Sequence, residues 1–364
     1  MKKVALTLAL ATVCEASANA QDSVVLYGVV DAGIASTHVS GPDGLGRSAT
    51  GAVSGGLTDS LFGLKGQETL SEGWFANFQL ESMFDGVTGA SYKPARVFDS
   101  QAWVGVGSEA AGQWRFGRQP TAAKRFGEQL EVSSWKEMGL GATFKASDNY
   151  QIDQAVSYMS PQWAGLTFGA SYSFDVASRG HANGKSPSAS LAARFVHGSW
   201  TLIATWDKTR LSDDVLANAP HPQAWQLGVI YEAGFAKVSL GWSRQKNGYV
   251  DLDSGDPDSA GLGLGAQEFV NGGRLDAYVA GISVPVGNGE WQLQWSYVKP
   301  DWHWQDGEKA RSGQLATLGY VYSLSPRSKL YAMAGVASRY SLSDQLRQGQ
   351  GTTTRYMAGI LHSF

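Results

Sequence analysis

Apolar and polar residues alternate along most of this chain. The segment LTFGASYSFD (166–175) places apolar side chains at every even position and small or polar ones at every odd position. Segments 74–84, 200–208 and 290–299 repeat the pattern, each with several aromatic residues on the apolar side. A period of two is the period of a β-strand, whose side chains point to two opposite faces. The pattern therefore predicts strands with one apolar and one hydrophilic face.

Sixteen segments show this alternation of apolar and hydrophilic side chains. They cover residues 24–36, 56–68, 74–85, 96–107, 113–120, 153–160, 166–176, 188–197, 200–210, 223–232, 235–246, 274–286, 290–299, 313–323, 328–340 and 353–364. An even number of antiparallel strands can close on itself and leave no unpaired edge. We therefore predict an all-β fold, a transmembrane 16-stranded antiparallel β-barrel.

The connections between the segments favour this barrel over a soluble sandwich, which would show the same alternation. Tight turns alternate with long polar segments rich in Gly and Asp. The turns are at 108–112, 198–199, 232–234 and 287–289, and the long segments include 38–52, 211–222 and 247–273. Short turns at one end and long loops at the other are typical of outer-membrane barrels.

Both ends of the sequence support an exported protein that forms a closed barrel. Two lysines precede an apolar stretch at 4–13, and Ala18-Asn19-Ala20 matches a signal-peptidase site. We expect a signal peptide at 1–20 and a single barrel domain at 21–364. Cys14 raises a lipoprotein alternative, which the bulky Val13 before it disfavours. The last residues alternate up to Phe364, so we expect a closing strand that ends on an interfacial aromatic residue.

Charge and cysteine content exclude several classes. The chain has 29 basic and 32 acidic residues, and without the signal its formal charge becomes −4, because two lysines and one glutamate leave with it. This balance gives no reason to expect a nucleic-acid partner. The only cysteine lies in the signal, so neither disulfides nor a cysteine-rich metal site is expected. No cofactor is expected.

Several motifs, in order along the chain, resemble the trimeric general porins of Gram-negative bacteria, especially their betaproteobacterial branch. The motifs are SVVLYGVVDAGI (23–34), FGLKGQETLSEGWFANFQLES (62–82), QAWVGVGSEAAGQWRFGRQ (101–119), VSYMSPQWAGLTFGASYSF (156–174) and the terminal HSF. The resemblance implies a homotrimer in contact with outer-membrane lipid and lipopolysaccharide. It also implies a third loop folded into each barrel, passive diffusion of small hydrophilic solutes, and recognition of Phe364 by the barrel-assembly machinery.

Pore-lining candidates come from two regions. The segment between Pro120 and Ile152 is too long for a tight connection and is where the inward loop of the family belongs. Strand parity adds residues of the barrel wall. The candidates are Lys124, Arg125, Glu128 and Glu131 on the loop, wall cations Lys65 and Arg115, and wall anions Glu81 and Asp153.

Selectivity is where this sequence departs from its relatives. Porins of this type place a cluster of arginines on the wall opposite the loop. The matching positions here hold Leu61, Ser100 and Gln151, so all three arginines are absent. We expect a pore that is weakly cation-preferring or nearly indifferent.

Arg118 needs a separate assignment. Trp114 and Phe116 set the lipid-facing parity of their strand, so Arg118 is expected outside the lumen. The arginine of the family's GRQ motif resembles a subunit-interface residue paired with an acid of a neighbouring subunit. Arg118 is therefore a candidate for the trimer interface.

Four other interpretations remain open at this stage. The acidic run 251–258 suggests calcium, although it lacks EF-hand spacing. Thirteen tryptophans suggest a sugar-specific channel, but parity directs most of them outward. None of the six histidines stands in a recognisable catalytic motif, which disfavours an enzyme. A soluble secreted β-protein or adhesin is also compatible with the signal peptide.

Overall fold

The computed structural model describes residues 23–40, 46–93, 95–132, 135, 138–139, 151–176, 185–212, 220–248, 271–304, 307–338 and 351–364. The strands are β1 Ser23–Ser40, β2 Gly46–Ser54, β3 Ser60–Thr69, β4 Trp74–Phe84, β5 Gln101–Ser108, β6 Gly112–Pro120, β7 Gln151–Met159, β8 Leu166–Ser173, β9 Ser188–His197, β10 Trp200–Thr209, β11 Gln223–Ala233, β12 Ala236–Lys246, β13 Arg274–Val286, β14 Gly289–Asp301, β15 Gly313–Ser323, β16 Ser328–Ser338 and β17 Thr352–Ser363. A short helix, α1 Ala122–Gly127, follows β6.

All strands belong to one closed antiparallel sheet. Neighbours in sequence pair with each other, and β1 closes the sheet on β17 from Val29↔Ser363 to Val39↔Thr353. The first half of β1 pairs with β3, and its second half pairs with β2. Strands β2 and β3 are therefore two parts of one barrel strand, interrupted at 55–59. Counted in this way, the barrel has the sixteen strands predicted from the sequence.

The C-terminal residue completes the closure. The backbone N–H of Phe364 donates to the Gly28 carbonyl at 3.0 Å, and the N–H of Gly28 donates to the Phe364 carbonyl at 3.1 Å. The aromatic ring of Phe364 lies against Gly28, where a side chain would collide with it. The hydrogen-bonded seam thus extends to the last residue.

One predicted loop and the start of one predicted strand were wrong. Residues 38–52 were expected to form a polar loop, but β1 continues to Ser40 and β2 begins at Gly46. Small polar residues pair across these strands, as Ser36 Oγ does with Thr50 Oγ1 at 2.9 Å, so a polar strand replaces the loop. The strand predicted at 96–107 begins only at Gln101, because the Asp99 carboxylate is engaged by the N–H of Met83 at 2.7 Å.

The outer surface of the barrel is apolar. Val104, Trp225 and Leu227 are each more than half exposed, and they share the parity of other large apolar residues on their strands. The opposite parity carries buried polar residues such as Gln226, Ser243 and Ser296. A water-soluble sandwich has the reverse arrangement. No helix in the described part of the chain is long and apolar enough to cross a membrane.

Candidate pore constriction

The segment after β6 turns into the barrel and runs along its inner wall. Thr121 caps α1 by accepting the N–H of Lys124 at 3.1 Å. The N–H groups of Ala122 and Ala123, in the first turn of α1, donate to Ser171 Oγ at 3.0 Å and Ser190 Oγ at 2.8 Å, on the inner faces of β8 and β9. Wall hydroxyls therefore satisfy the helix donors that have no partner within the helix.

The loop then crosses the remaining strands of that half of the barrel. Ser239 Oγ donates to the carbonyl of Leu130, the N–H of Val132 donates to Gln294 Oε1 at 3.2 Å, and Thr317 Oγ1 donates to the carbonyl of Met138 at 2.6 Å. These contacts lie successively on β12, β14 and β15. The predicted inward-folded third loop is therefore confirmed for its described residues.

Glycines on the inner face make room for the loop. Five of them each face one large apolar side chain of the loop, so closely that a Cβ would lie 2.9 Å or less from it. The pairs are Gly169 with Phe126, Gly228 with Leu130, Gly281 with Val132, Gly319 with Trp135 and Gly335 with Met138. Trp135 and Met138 are fully buried, and the Trp135 ring packs edge-on to Tyr331 at 6.0 Å. The loop is thus held by both polar and apolar contacts.

The other half of the wall carries a connected polar group around Glu81. The Glu81 carboxylate accepts hydrogen bonds from the hydroxyls of Tyr27, at 2.8 Å, and Ser100. The amides of Gln79 and Gln101 donate to it at 3.3 and 3.4 Å. Only 6 % of Glu81 is exposed, so these neutral donors stabilise the negative charge in place of water.

Two wall cations rest on aromatic rings beside this group. Lys65 Nζ lies 4.9 Å from the centre of the Tyr27 ring, and the Arg115 guanidinium lies 4.0 Å from that of Trp103. Arg115 Nε donates to Gln113 Oε1 at 2.9 Å, and Trp103 Nε1 donates to Gln101 Oε1 at 2.9 Å. Stacking and hydrogen bonding orient the cations without neutralising them.

The loop places further charges near this wall. Arg125 is close enough to Arg115 for the two guanidiniums to repel each other. Glu128 is exposed within the barrel and lies near Lys124 and Arg125. Enclosure of the loop by the barrel wall reduces the hydration of both groups, so the pKa of Arg125 is lowered and that of Glu128 is raised, and their mutual attraction partly offsets both shifts. Glu131 caps the turn that follows, its N–H donating to the Glu128 carbonyl at 3.1 Å.

Asp153 does not stand on the lumen wall as predicted. The pairing of β6 with β7 shifts between Gly117 and Gln119, so an extra residue of β7 stands opposite Arg118. Asp153 therefore forms ion pairs with Arg118 at 2.8 Å and with Arg96 at 2.5 Å. Strand parity assumes regular pairing, and a β-bulge breaks it.

Arg118 keeps the outward parity expected for it, but its acid partner belongs to its own chain. Besides Asp153, it donates to the carbonyls of Asp99 at 2.6 Å and Gln151 at 3.2 Å. Its side chain is only 10 % exposed. The pairing with a neighbouring subunit stays a prediction.

Two of the positions without arginine lie close to these groups. Ser100 is buried and bonded to Glu81, and Leu61 lies on β3 opposite Met83 of β4. Gln151 begins β7 and pairs with Pro120.

Three parts of the site were not predicted, namely the aromatic supports Tyr27 and Trp103, the wall amides and the inner glycines. The amides lie on the hydrophilic parity of their strands, so alternation could have revealed them, whereas the glycine pairings depend on the path of the loop.

Comparison with known proteins agrees with this architecture. A family model described as Gram-negative porin matches residues 5–340. An outer membrane porin of Bordetella pertussis is 29% identical over 401 residues, and outer membrane porin protein 32 of Delftia acidovorans is 27% identical over 383 residues. In both cases the match covers 100% of each chain.

Solved structures show the same fold. An anion-selective porin from Comamonas acidovorans has a TM-score of 0.70 at 22% identity, covering 94% of this chain and 100% of that one. The OmpT protein of Vibrio cholerae in its trimer form has a TM-score of 0.64 at 15% identity, covering 94% of this chain and 99% of that one.

Proposed function

This chain belongs to the Gram-negative porin family, and we propose that its barrel restricts passive diffusion between the inward loop and the wall around Glu81 and Arg115. Porins are channels of the outer membrane and not enzymes. The observation that carries the proposal is the unequal covering of the inner wall. The described residues of the loop lie against one half, from β8 to β16, and the other half, β1 and β3–β6, carries the polar groups around Glu81 and Arg115.

The polar character of this passage favours small hydrophilic solutes of no particular structure. A sugar-specific channel would expose aromatic rings along the solute path. Within the described residues, Trp103 is covered by Arg115, and Trp135 of the loop is buried against the barrel wall at Gly319 and Tyr331. Trp114, Trp200, Trp225 and Trp291 lie exposed on the outer face, as interface anchors do. General diffusion therefore fits this wall better.

We further propose that ion selectivity is weak. Lys65, Arg115, Lys124 and Arg125 contribute positive charge near the passage, and Glu81 and Glu128 oppose it. The arginines of the related porins are absent at 61, 100 and 151. A unit charge about 8 Å from an ion contributes roughly 2 kcal/mol at an effective dielectric near 20, before salt screening. Three missing cations therefore weaken anion entry substantially at low salt.

The zero-current potential across a bilayer in a KCl gradient tests this selectivity. We expect a value near zero, because the cations near the passage only slightly outnumber its acids and the arginines at 61, 100 and 151 are absent. Arginine substitutions at Leu61, Ser100 and Gln151 should move it toward anions. The matched control places arginine at Gly51, an inner-face position with no neighbouring atom within 4 Å of its Cβ site. A strongly anion-selective wild type would refute the proposal of weak selectivity, but not that of a pore.

The assembly is proposed to be a homotrimer inserted with help from the barrel-assembly machinery, after cleavage of the signal near Ala20. The trimer form of the Vibrio cholerae neighbour supports the stoichiometry. Migration on SDS gels with and without boiling, followed by mass determination in detergent, would test it. A monomer in mild detergent would contradict the trimer. The acidic run 251–258 lies outside the described residues, so calcium binding there stays untested.

A further inference from the structure

Residues 55–59, which interrupt the barrel strand between β2 and β3, fold toward the lumen. Gly55 has a φ of 71°, a left-handed conformation that favours glycine, and the chain turns there. The N–H groups of Leu57 and Thr58 both donate to Asp31 Oδ2 of β1 at 2.8 Å. A side chain of the barrel wall therefore holds the middle of this segment. We call residues 55–59 the inward turn.

Asp31 also fixes the two ends of the inward turn. Its carbonyl accepts the N–H of Gly55 at 2.9 Å and the hydroxyl of Ser60 at 3.1 Å, and its own N–H donates to Ser60 Oγ at 3.0 Å. Val30 and Ile34 have the opposite parity on β1 and are exposed on the outer face, whereas Asp31 is fully buried. The carboxylate therefore points into the barrel and draws the turn with it.

Tyr331 of β16 connects Asp31 to the inward loop. Its hydroxyl donates to Asp31 Oδ1 at 2.5 Å, and its ring packs edge-on to that of Trp135 at 6.0 Å. The side chain lies flat across β17, because a Cβ at Gly359 would lie 2.2 Å from the hydroxyl oxygen. A Cβ at Gly56, in the inward turn, would lie 2.3 Å from the same atom. The loop and the inward turn therefore share one tyrosine of the wall.

The inward turn lies between the inward loop and the polar wall. On one side, Leu57 packs against the buried apolar cluster that the loop forms with β15–β17. On the other side, Tyr27 precedes Asp31 on the inner face of β1 and donates to the Glu81 carboxylate at 2.8 Å. Leu57 and Thr58 remain partly exposed. The turn thus continues the covering of the wall from β16 to β1 and ends beside the group around Glu81.

We propose that the inward turn is a second constriction element, which lines the passage between the inward loop and the wall around Glu81, and that Asp31 is its positioning residue. Three donors bind the Asp31 carboxylate, so this group orients the turn and does not face passing ions. Tyr331 transmits the position of the turn to Trp135. This inference rests on the proposed function, because a lining residue matters only if the lumen conducts.

Cysteine modification tests the lining role, because the only native cysteine lies in the signal. In planar bilayers, Thr58→Cys should lose conductance in steps when a negatively charged methanethiosulfonate is added, since the attached group occupies the passage. Thr50→Cys is the matched control. Thr50 is exposed and bonded to Ser36 on the outer face, so its modification should leave conductance unchanged. Failure of Thr58→Cys to react, or complete modification without loss of conductance, would overturn the lining role.

Tyr331→Phe tests the positioning role, because it removes the hydroxyl that binds Asp31 and keeps the ring that supports Trp135. Loss of a hydrogen bond to a charged group shifts an equilibrium by about tenfold, so the modification rate of Leu57→Cys should rise by about that factor. Asp31→Asn should also raise it, and the double variant should fall short of the product of the two effects, because both act on the same contact. Tyr322→Phe, on the outer face, should leave the rate unchanged.

The rates are measured by mass spectrometry on the purified full-length protein, well below its melting temperature, where a general loss of stability does not change them. An unchanged rate in either Tyr331→Phe or Asp31→Asn would overturn the positioning role. A wild type that conducts no ions would refute the proposed pore and with it the lining role. The modification rates would then still decide whether Asp31 and Tyr331 hold the turn.

Discussion

The contact between Gly319 and Trp135 should determine where the inward loop lies in the lumen. Replacement of Gly319 by Ala would place a Cβ 2.5 Å from Cε2 of Trp135, with Cζ2 closer still. Ordinary contacts begin near 3.4 Å, so the indole must retreat by about 1 Å or more. The wall backbone is fixed in the sheet, and the loop can move only toward the pore axis.

The magnitude follows from the packing of the indole. Trp135 is fully buried, and Tyr331 contacts its ring from β16. Overpacking at such a site lowers the free energy of unfolding by about 1–3 kcal/mol. We expect Gly319→Ala to fold into a barrel with lower single-channel conductance and more open-channel noise, because the displaced loop narrows the passage and loses part of its attachment.

Single-channel recording in planar bilayers measures this effect, and two variants control it. Gly51 also lies on the inner side of its strand, but a Cβ there meets no atom within 4 Å, so Gly51→Ala should conduct like the wild type. Trp135→Leu in the Gly319→Ala background should restore part of the conductance, because the smaller side chain relieves the overlap. Normal conductance and noise in Gly319→Ala would refute the assigned path of the loop.

Three further predictions concern charge, stability and assembly. Because enclosure within the barrel reduces the hydration of Glu128 and raises its pKa, its negative charge should be lost at a higher pH than that of a free glutamate. Acidification should therefore shift the zero-current potential toward anions, and a shift of equal size in Glu128→Gln would contradict this role. Arg118→Ala leaves the nearly buried Asp153 with one cation fewer, so it should lower the free energy of unfolding by about 3 kcal/mol. The melting temperature of the unboiled protein should fall, and its conductance should stay close to normal. A melting temperature equal to that of the wild type would disprove this. Deletion of Phe364 removes two backbone hydrogen bonds of the seam and the terminal aromatic ring, so less protein should reach the outer membrane and precursor should accumulate in the periplasm. Undiminished insertion of the truncated chain would refute that expectation.

The alternation of side chains was sufficient to predict the barrel because a lipid-facing strand must separate apolar from polar residues at every second position. It was insufficient where the backbone leaves regular pairing. Parity assigned Asp153 to the lumen, but the bulge opposite Arg118 directs its carboxylate into an ion pair with that arginine. Segment 46–54 was missed because its small polar residues carry no apolar face.

The constriction was only partly predictable for a related reason. Lys65, Glu81 and Arg115 follow from parity along single strands. Other contacts of the site join residues from different elements: Arg115 stacks on Trp103, and Leu130 packs against Gly228. Such contacts depend on closure of the barrel and on the path of the loop, neither of which a local pattern contains.

Conductance of the purified protein tests the central claim most directly. After reconstitution into planar bilayers at high KCl concentration, the protein should produce discrete, ohmic conductance steps, often in groups of three. Addition of neutral sugars of increasing size should reduce the step until they no longer enter the lumen. A protein verified as a folded, membrane-inserted barrel that repeatedly produces no steps would contradict the account.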